Sequence, residues 1–114
     1  MQGAYDRDWV LSELRRSLTW LGASFDQQLQ ILPPGTCPAC ELAGDARHFT
    51  QVFLGNEEDL SQGVRDGLTS LLTLIDGLDD SDEWQCWNES MLQTGTWWAR
   101  LRDQAGLLLR QLPV

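Results

Sequence analysis

The chain contains no lysine. Its eight basic residues are all arginines, and seventeen acids oppose them for a formal net charge of −9. A nucleic-acid binder grips phosphates with basic side chains, so this balance excludes that class. No apolar run approaches the roughly 18 residues that span a bilayer, so no membrane association is expected. The opening residues Met-Gln-Gly-Ala-Tyr-Asp-Arg-Asp hold no apolar stretch of the signal-peptide kind, which makes the expected location cytoplasmic. Histidine occurs once, at His48. The serines have no nucleophile-elbow context, and no glycine-rich phosphate loop is present. The acids between Asp76 and Glu83 lack the spacing and central glycine of a calcium loop. With these signatures missing, the chain reads as a non-enzyme, and no cofactor is expected.

What is present suffices for one compact core. The 114 residues weigh 12.9 kDa, one domain by length, spanning 1–114. A folded monomer of this mass exposes about 6,300 Å², against roughly 18,700 Å² unfolded. Hydrophobic residues make up 42% of the chain, too many for a disordered tail.

Hydrophobic periodicity predicts an all-α bundle of four to five helices, largely antiparallel. Val10, Leu14, Leu18, Leu21 and Phe25 predict a first helix over 8–30, capped by Asp6 or Asp8 and ended by Pro33-Pro34-Gly35. Glu13 and Arg16 form an i,i+3 pair on it. A second, short helix is expected over 40–53. Residues 48–53 also alternate like a strand, but no second strand is available to pair with them. A third helix is capped by Asn56, with Glu57, Glu58 and Asp59 in its first turn, where the helix dipole favours acids. Its apolar face is Leu60, Val64, Leu68, Leu71, Leu72, Ile75 and Leu78. Gly63 and Gly67 on this helix suit close helix approach, and Gly77 reads as its terminator. A short helix over 82–92, a break at 93–95 and a last helix over 96–111 complete the chain. The last helix carries the stripe Trp98, Leu101, Ala105, Leu108 and Leu112. Antiparallel packing of the first, third and last helices would bury three apolar stripes.

Charge is unevenly distributed. Residues 41–89 hold twelve acids and two arginines, a balance of −10, and the remainder holds five acids and six arginines, a balance of +1. The excess gathers at Glu57-Glu58-Asp59 and at Asp76, Asp79, Asp80, Asp82 and Glu83. Such clusters are ordinarily a solvated surface. Two of them in one half of a small chain also suit an electrostatic docking face for a cationic partner.

Cys37-Pro38-Ala39-Cys40 is a CxxC motif, and Cys86 is the third cysteine. As a metal site, Cys37, Cys40, His48 and Cys86 supply ligand types suited to tetrahedral zinc, but only the CxxC half has the right spacing. As a redox site, the pair lacks a thioredoxin-like βαβ frame. His48 lies eight residues beyond Cys40, about two helical turns, too far for a proton relay. The ordinary reading is three small thiols in a reducing cytosol.

Six tryptophans are many for 114 residues, and Trp84, Trp87, Trp97 and Trp98 fall within fifteen positions. Core filling accounts for Trp98 and one of Trp84 or Trp87. Neighbours on a helix differ by about 100°, so Trp97 and Trp98 do not both face inward. An exposed tryptophan beside acids has the composition of a binding hot spot.

Several fragments resemble a group of small acidic helical bacterial proteins, similar in size and charge to the immunity proteins of toxin systems. They are Gln28-Leu29-Gln30-Ile31-Leu32-Pro33, Glu41-Leu42-Ala43-Gly44-Asp45, Ile75-Asp76-Gly77-Leu78 and the segment from Trp98 to Ala105. The CxxC is not part of that pattern. The resemblance implies a small inhibitor that binds a basic toxin or effector domain. Under this expectation Glu57, Glu58, Asp59, Asp79, Asp80, Asp82 and Glu83 steer association, and Trp84, Trp87 and Trp97 anchor it. The alternatives are a zinc or thiol-redox protein built on Cys37 and Cys40, and a helical subunit of a larger complex. A homo-oligomer fits the same composition.

Overall fold

The computed structural model describes residues 5–32, 37, 39–81 and 93–112. Helix α1 spans Arg7–Leu21. The Asp6 side chain caps it, accepting the Trp9 backbone N–H at 3.1 Å and so satisfying one of the donors left open at a helix start. On α1, Glu13 and Arg16 form the expected pair through two hydrogen bonds of 2.8 and 3.2 Å.

The single helix expected over 8–30 is two helices. Helix α1 stops at Gly22, and α2 restarts at Phe25–Ile31. The cause is a capping box. The Ser24 hydroxyl accepts the Gln27 N–H, and Gln27 Oε1 accepts the Ser24 N–H. The corner is then pinned from inside by Gln28, which is fully buried. Gln28 Nε2 donates to the carbonyls of Trp20 at 3.1 Å and Leu21 at 2.9 Å, while Gln28 Oε1 accepts from Arg102 Nε at 3.2 Å and Nη2 at 2.9 Å. Burial pushes the Arg102 guanidinium below its ordinary pKa.

Ala39–Gly44 winds as a wide π-type turn that runs directly into α3, Asp45–Asn56. The segment is helical, as the missing strand partner argued. Asn56 does not cap the following helix. It is the last residue of α3, and its Nδ2 donates to the Val52 carbonyl at 2.8 Å. Helix α4, Gln62–Asp79, is capped instead by Ser61, whose hydroxyl accepts the Val64 N–H at 3.3 Å. Glu57, Glu58, Asp59 and Leu60 therefore lie in the connector between α3 and α4, not on the helix. Gly77 does not end α4 either, since the helix continues to Asp79.

Helix α5 spans Thr96–Gln111, the predicted bounds, with Gly95 at its N-cap. Gln93 and Thr94 are helical, so the expected break narrows to Gly95. The short helix expected over 82–92 lies outside the described residues.

The fold is an all-α bundle, with no strand among the described residues. Helix α1 packs against α3 and α5, and α4 packs against the same two. Helices α1 and α4 thus share a core rather than an interface, and α3 takes the place that direct packing of the first and third helices would have filled. Leu14, Leu18 and Leu21 of α1 meet Phe53 of α3, Leu68, Leu71, Ile75 and Leu78 of α4, and Trp98, Leu101 and Leu108 of α5 in one buried cluster. Each such side chain contributes about 1.5–3 kcal/mol through burial. At Gly67 a Cβ would stand 2.8 Å from Leu108 Cδ2, so this glycine lets α4 and α5 approach, whereas Gly63 faces open space. The accessible surface is 6537 Å², close to that expected for one compact domain of this mass.

Candidate functional site

The two acidic clusters are not side by side. Glu57, Glu58 and Asp59 precede α4, and Asp79 and Asp80 end it. The eighteen residues of α4 hold them apart by about 27 Å. Between them, however, α4 carries a continuous exposed stripe of Gln62, Asp66, Thr69, Thr73, Asp76 and Asp80. The hydroxyls of Thr69 and Thr73 turn back onto the carbonyls of Arg65 and Thr69. Helix α4 has a single basic residue, Arg65, and its guanidinium is turned to the Glu57 carbonyl at 2.9 Å. The acids of this stripe thus have no basic side chain interleaved among them along α4.

Arginines from other helices reach the ends of the stripe. Arg7 Nε meets Glu57 Oε1 at 2.7 Å, with the Glu57 side chain 16% exposed. Arg47 of α3 meets Asp76 and Asp79 at 3.4 Å each, and both acids remain well exposed. Glu58, Asp59, Asp66 and Asp80 stay on the surface. Asp66 accepts a hydrogen bond from Gln62 at 2.7 Å.

The N-terminal end of the stripe opens into a cleft of about 450 Å³. Leu60 and Val64 form its apolar wall, and Glu57, Asp59, Ser61 and Arg7 its polar side. Tyr5 lies beside Glu57. Its hydroxyl is buried without a hydrogen-bond partner among the described residues. Burial, and then the neighbouring Glu57 carboxylate, pushes the phenol up to about 12. The same carboxylate holds Arg7 above its ordinary value. A second cleft, of about 410 Å³, lies at the α1–α2 corner between Trp20, Gln27 and Ile31, and among the described residues no charged side chain lines it.

Of the sequence-predicted anchors, Trp97 is half-buried, with its ring over Gly77 and the Arg100 guanidinium 5.3 Å from the ring centroid. Trp98 is buried, so the adjacent pair divides between core and surface as the helical angle requires. Asp82, Glu83, Trp84 and Trp87 lie outside the described residues. Among the described residues, the exposed tryptophan is one that the sequence did not single out. Trp9 is 56% exposed and stands edge-on to Phe49, with ring centroids 5.7 Å apart. A signal was available in the helical repeat, because Val10 and Leu11 face the core and leave Trp9 outside the stripe.

The cysteines depart from three ordinary thiols. Cys37 is disulfide-bonded, and Cys40 is an exposed thiol. The two are therefore not bonded to each other. His48 is exposed and stacks edge-on against Phe49 rather than turning to the cysteines. Cys86 lies outside the described residues, and among the described residues no cluster of three or more His, Cys, Asp or Glu is placed to hold a metal ion. No helix among them is long and apolar enough to cross a membrane. Comparison with protein-family models, curated proteins and solved structures finds no match to this chain.

Proposed function

We propose that the chain is a binding protein, not an enzyme, whose α4 face docks a basic protein domain. The observation that carries this reading is the exposed α4 stripe from Gln62 to Asp80, which presents Asp66, Asp76 and Asp80 with no base of α4 interleaved among them. Acids there steer a cationic partner and fix its orientation. The cleft at the start of α4 suits a partner arginine or lysine, whose aliphatic stem lies on Leu60 and Val64 while its charged head meets Glu57 and Asp59. A small acidic protein acting this way occludes its partner's cationic surface, which is how an immunity protein would silence a bacterial toxin domain. The cytoplasmic placement stands against the Cys37 disulfide, since structural disulfides persist in oxidising compartments. The oxidation state of Cys37 in the source cell decides that point.

The test compares the natural chain with the triple variant Glu58→Lys, Asp66→Lys, Asp80→Lys in capture from source-cell extract. The reading expects a basic protein retained at low salt, released at high salt and lost with the variant. A partner retained equally by both forms, indifferent to salt, overturns it.

A further inference from the structure

The cleft at the start of α4 already holds a guanidinium. Arg7 enters it from α1, and its Nε donates to Glu57 Oε1 at 2.7 Å. Among the described residues that line the cleft, Arg7 is the one base, set against the carboxylates of Glu57 and Asp59. The two members of the pair are held very differently. Arg7 is joined to Glu57 by one hydrogen bond, and its side chain is nearly half exposed, so solvent screens the contact. The Glu57 side chain is mostly buried. Its backbone N–H donates to the Phe53 carbonyl of α3 at 3.0 Å, and its carbonyl accepts Arg65 Nη2 of α4 at 2.9 Å. The carboxylate is therefore fixed in place by two helices, while its present cation is exchangeable. A fixed acceptor needs little ordering when a new donor arrives.

The rest of the cleft fits the remainder of an arginine side chain. Leu60 and Val64 offer an apolar wall to the stem, exposed Asp59 offers a second carboxylate, and Gln111 of α5 adds an amide. A guanidinium carries five N–H donors in a planar fork and is more weakly hydrated than an ammonium. It serves two carboxylates and lies against apolar surface at once. A lysine gathers its donors at one strongly hydrated point and gains less from such a lining.

We propose that this cleft is an arginine-selective pocket, with Arg7 as its internal stand-in, and that an arginine of the basic partner takes the place of Arg7 on Glu57. The proposal rests on the docking reading of α4 and narrows it, because the partner must present an arginine rather than a lysine at the N-terminal end of the stripe. One guanidinium replaces another on the same carboxylate, and Arg7 moves out into water.

The test uses the full chain and two small probes of equal charge, N-acetyl-arginine amide and N-acetyl-lysine amide. Each is titrated at constant ionic strength and followed through the backbone amide resonances. Saturable shifts are expected over 57–64, with the arginine probe bound at least about fivefold more tightly than the lysine probe, as one additional net hydrogen bond gives. Asp59→Asn is expected to weaken the arginine probe towards the lysine value. Arg7→Gln is expected to bind the arginine probe more tightly than the natural chain does, with its helical circular dichroism retained. Equal binding of the two probes overturns the proposal, as does a folded Arg7→Gln that binds no more tightly. Shifts that do not saturate, or that fall outside 57–64, overturn it as well. The docking reading stands or falls separately, because its capture test changes Glu58, Asp66 and Asp80, none of which lines the cleft.

Discussion

Gly77 of α4 lies beneath the indole of Trp97 at the start of α5, and a Cβ at that position would occupy the space of the ring carbons. The glycine is a seat for the tryptophan rather than a stop signal. Gly77→Ala gains up to about 1 kcal/mol in helix propensity but must displace the ring, and overpacking costs about 1–3 kcal/mol. The expected result is a net loss of stability of about 1 kcal/mol in urea unfolding. Gly106→Ala is the contrast, because nothing stands within 4 Å of a Cβ there. It is expected to stabilise by up to about 1 kcal/mol.

Gln28 joins α2 to α1 and α5 through a buried amide that both donates and accepts. Gln28→Leu keeps the volume but withdraws the donor from the Leu21 carbonyl and the Gln28 acceptor from Arg102. Leaving buried polar groups in that state costs about 1–3 kcal/mol each. Chemical unfolding is expected to show a loss of about 2–4 kcal/mol, well above that of an exposed glutamine such as Gln30.

Tyr5 makes stability fall in alkali. Its folded-state pKa is raised from 10.0 to about 12, so the folded chain holds the phenolic proton over a window in which the unfolded chain has lost it. The contribution is complete below about pH 10 and is lost as pH rises towards about 12. Thermal unfolding across that range is expected to show a steeper decline for the natural chain than for Tyr5→Phe.

Arg7 occupies the carboxylate that the docking account assigns to a partner's cation. Arg7→Gln leaves Glu57 available to an incoming base and makes the cleft more acidic. The Arg7 side chain is 46% exposed, so solvent screening keeps the stability cost small. Association with the basic partner is expected to quicken at low salt, with the gain vanishing as salt rises. Stopped-flow mixing at two ionic strengths measures this.

Much of the fold was legible because apolar spacing is a direct record of burial. The α5 stripe of Trp98, Leu101, Ala105, Leu108 and Leu112 is buried in full, and both bounds of that helix were correct. The misreadings concern caps. Asn56 and Ser61 are both good cap residues, and the choice between them rests on Asn56 bonding back to Val52 and on the path of the connector. The restart at Ser24 was spelled by its capping box with Gln27, but the apolar repeat through Phe25 masked it. For the site, sequence placed acids in clusters without showing that α4 separates them or that its hydroxyls line the interval. The pairing of Arg7 with Glu57 spans fifty residues and follows only from the packed helices.

The central claim is that α4 is the docking face. Hydrogen exchange of the chain with and without its captured basic partner tests this most directly. The account predicts new protection over 57–80 that is lost with Glu58→Lys, Asp66→Lys, Asp80→Lys. Protection confined to the α1–α3 side around Trp9 and Phe49, with 57–80 unchanged, would contradict it.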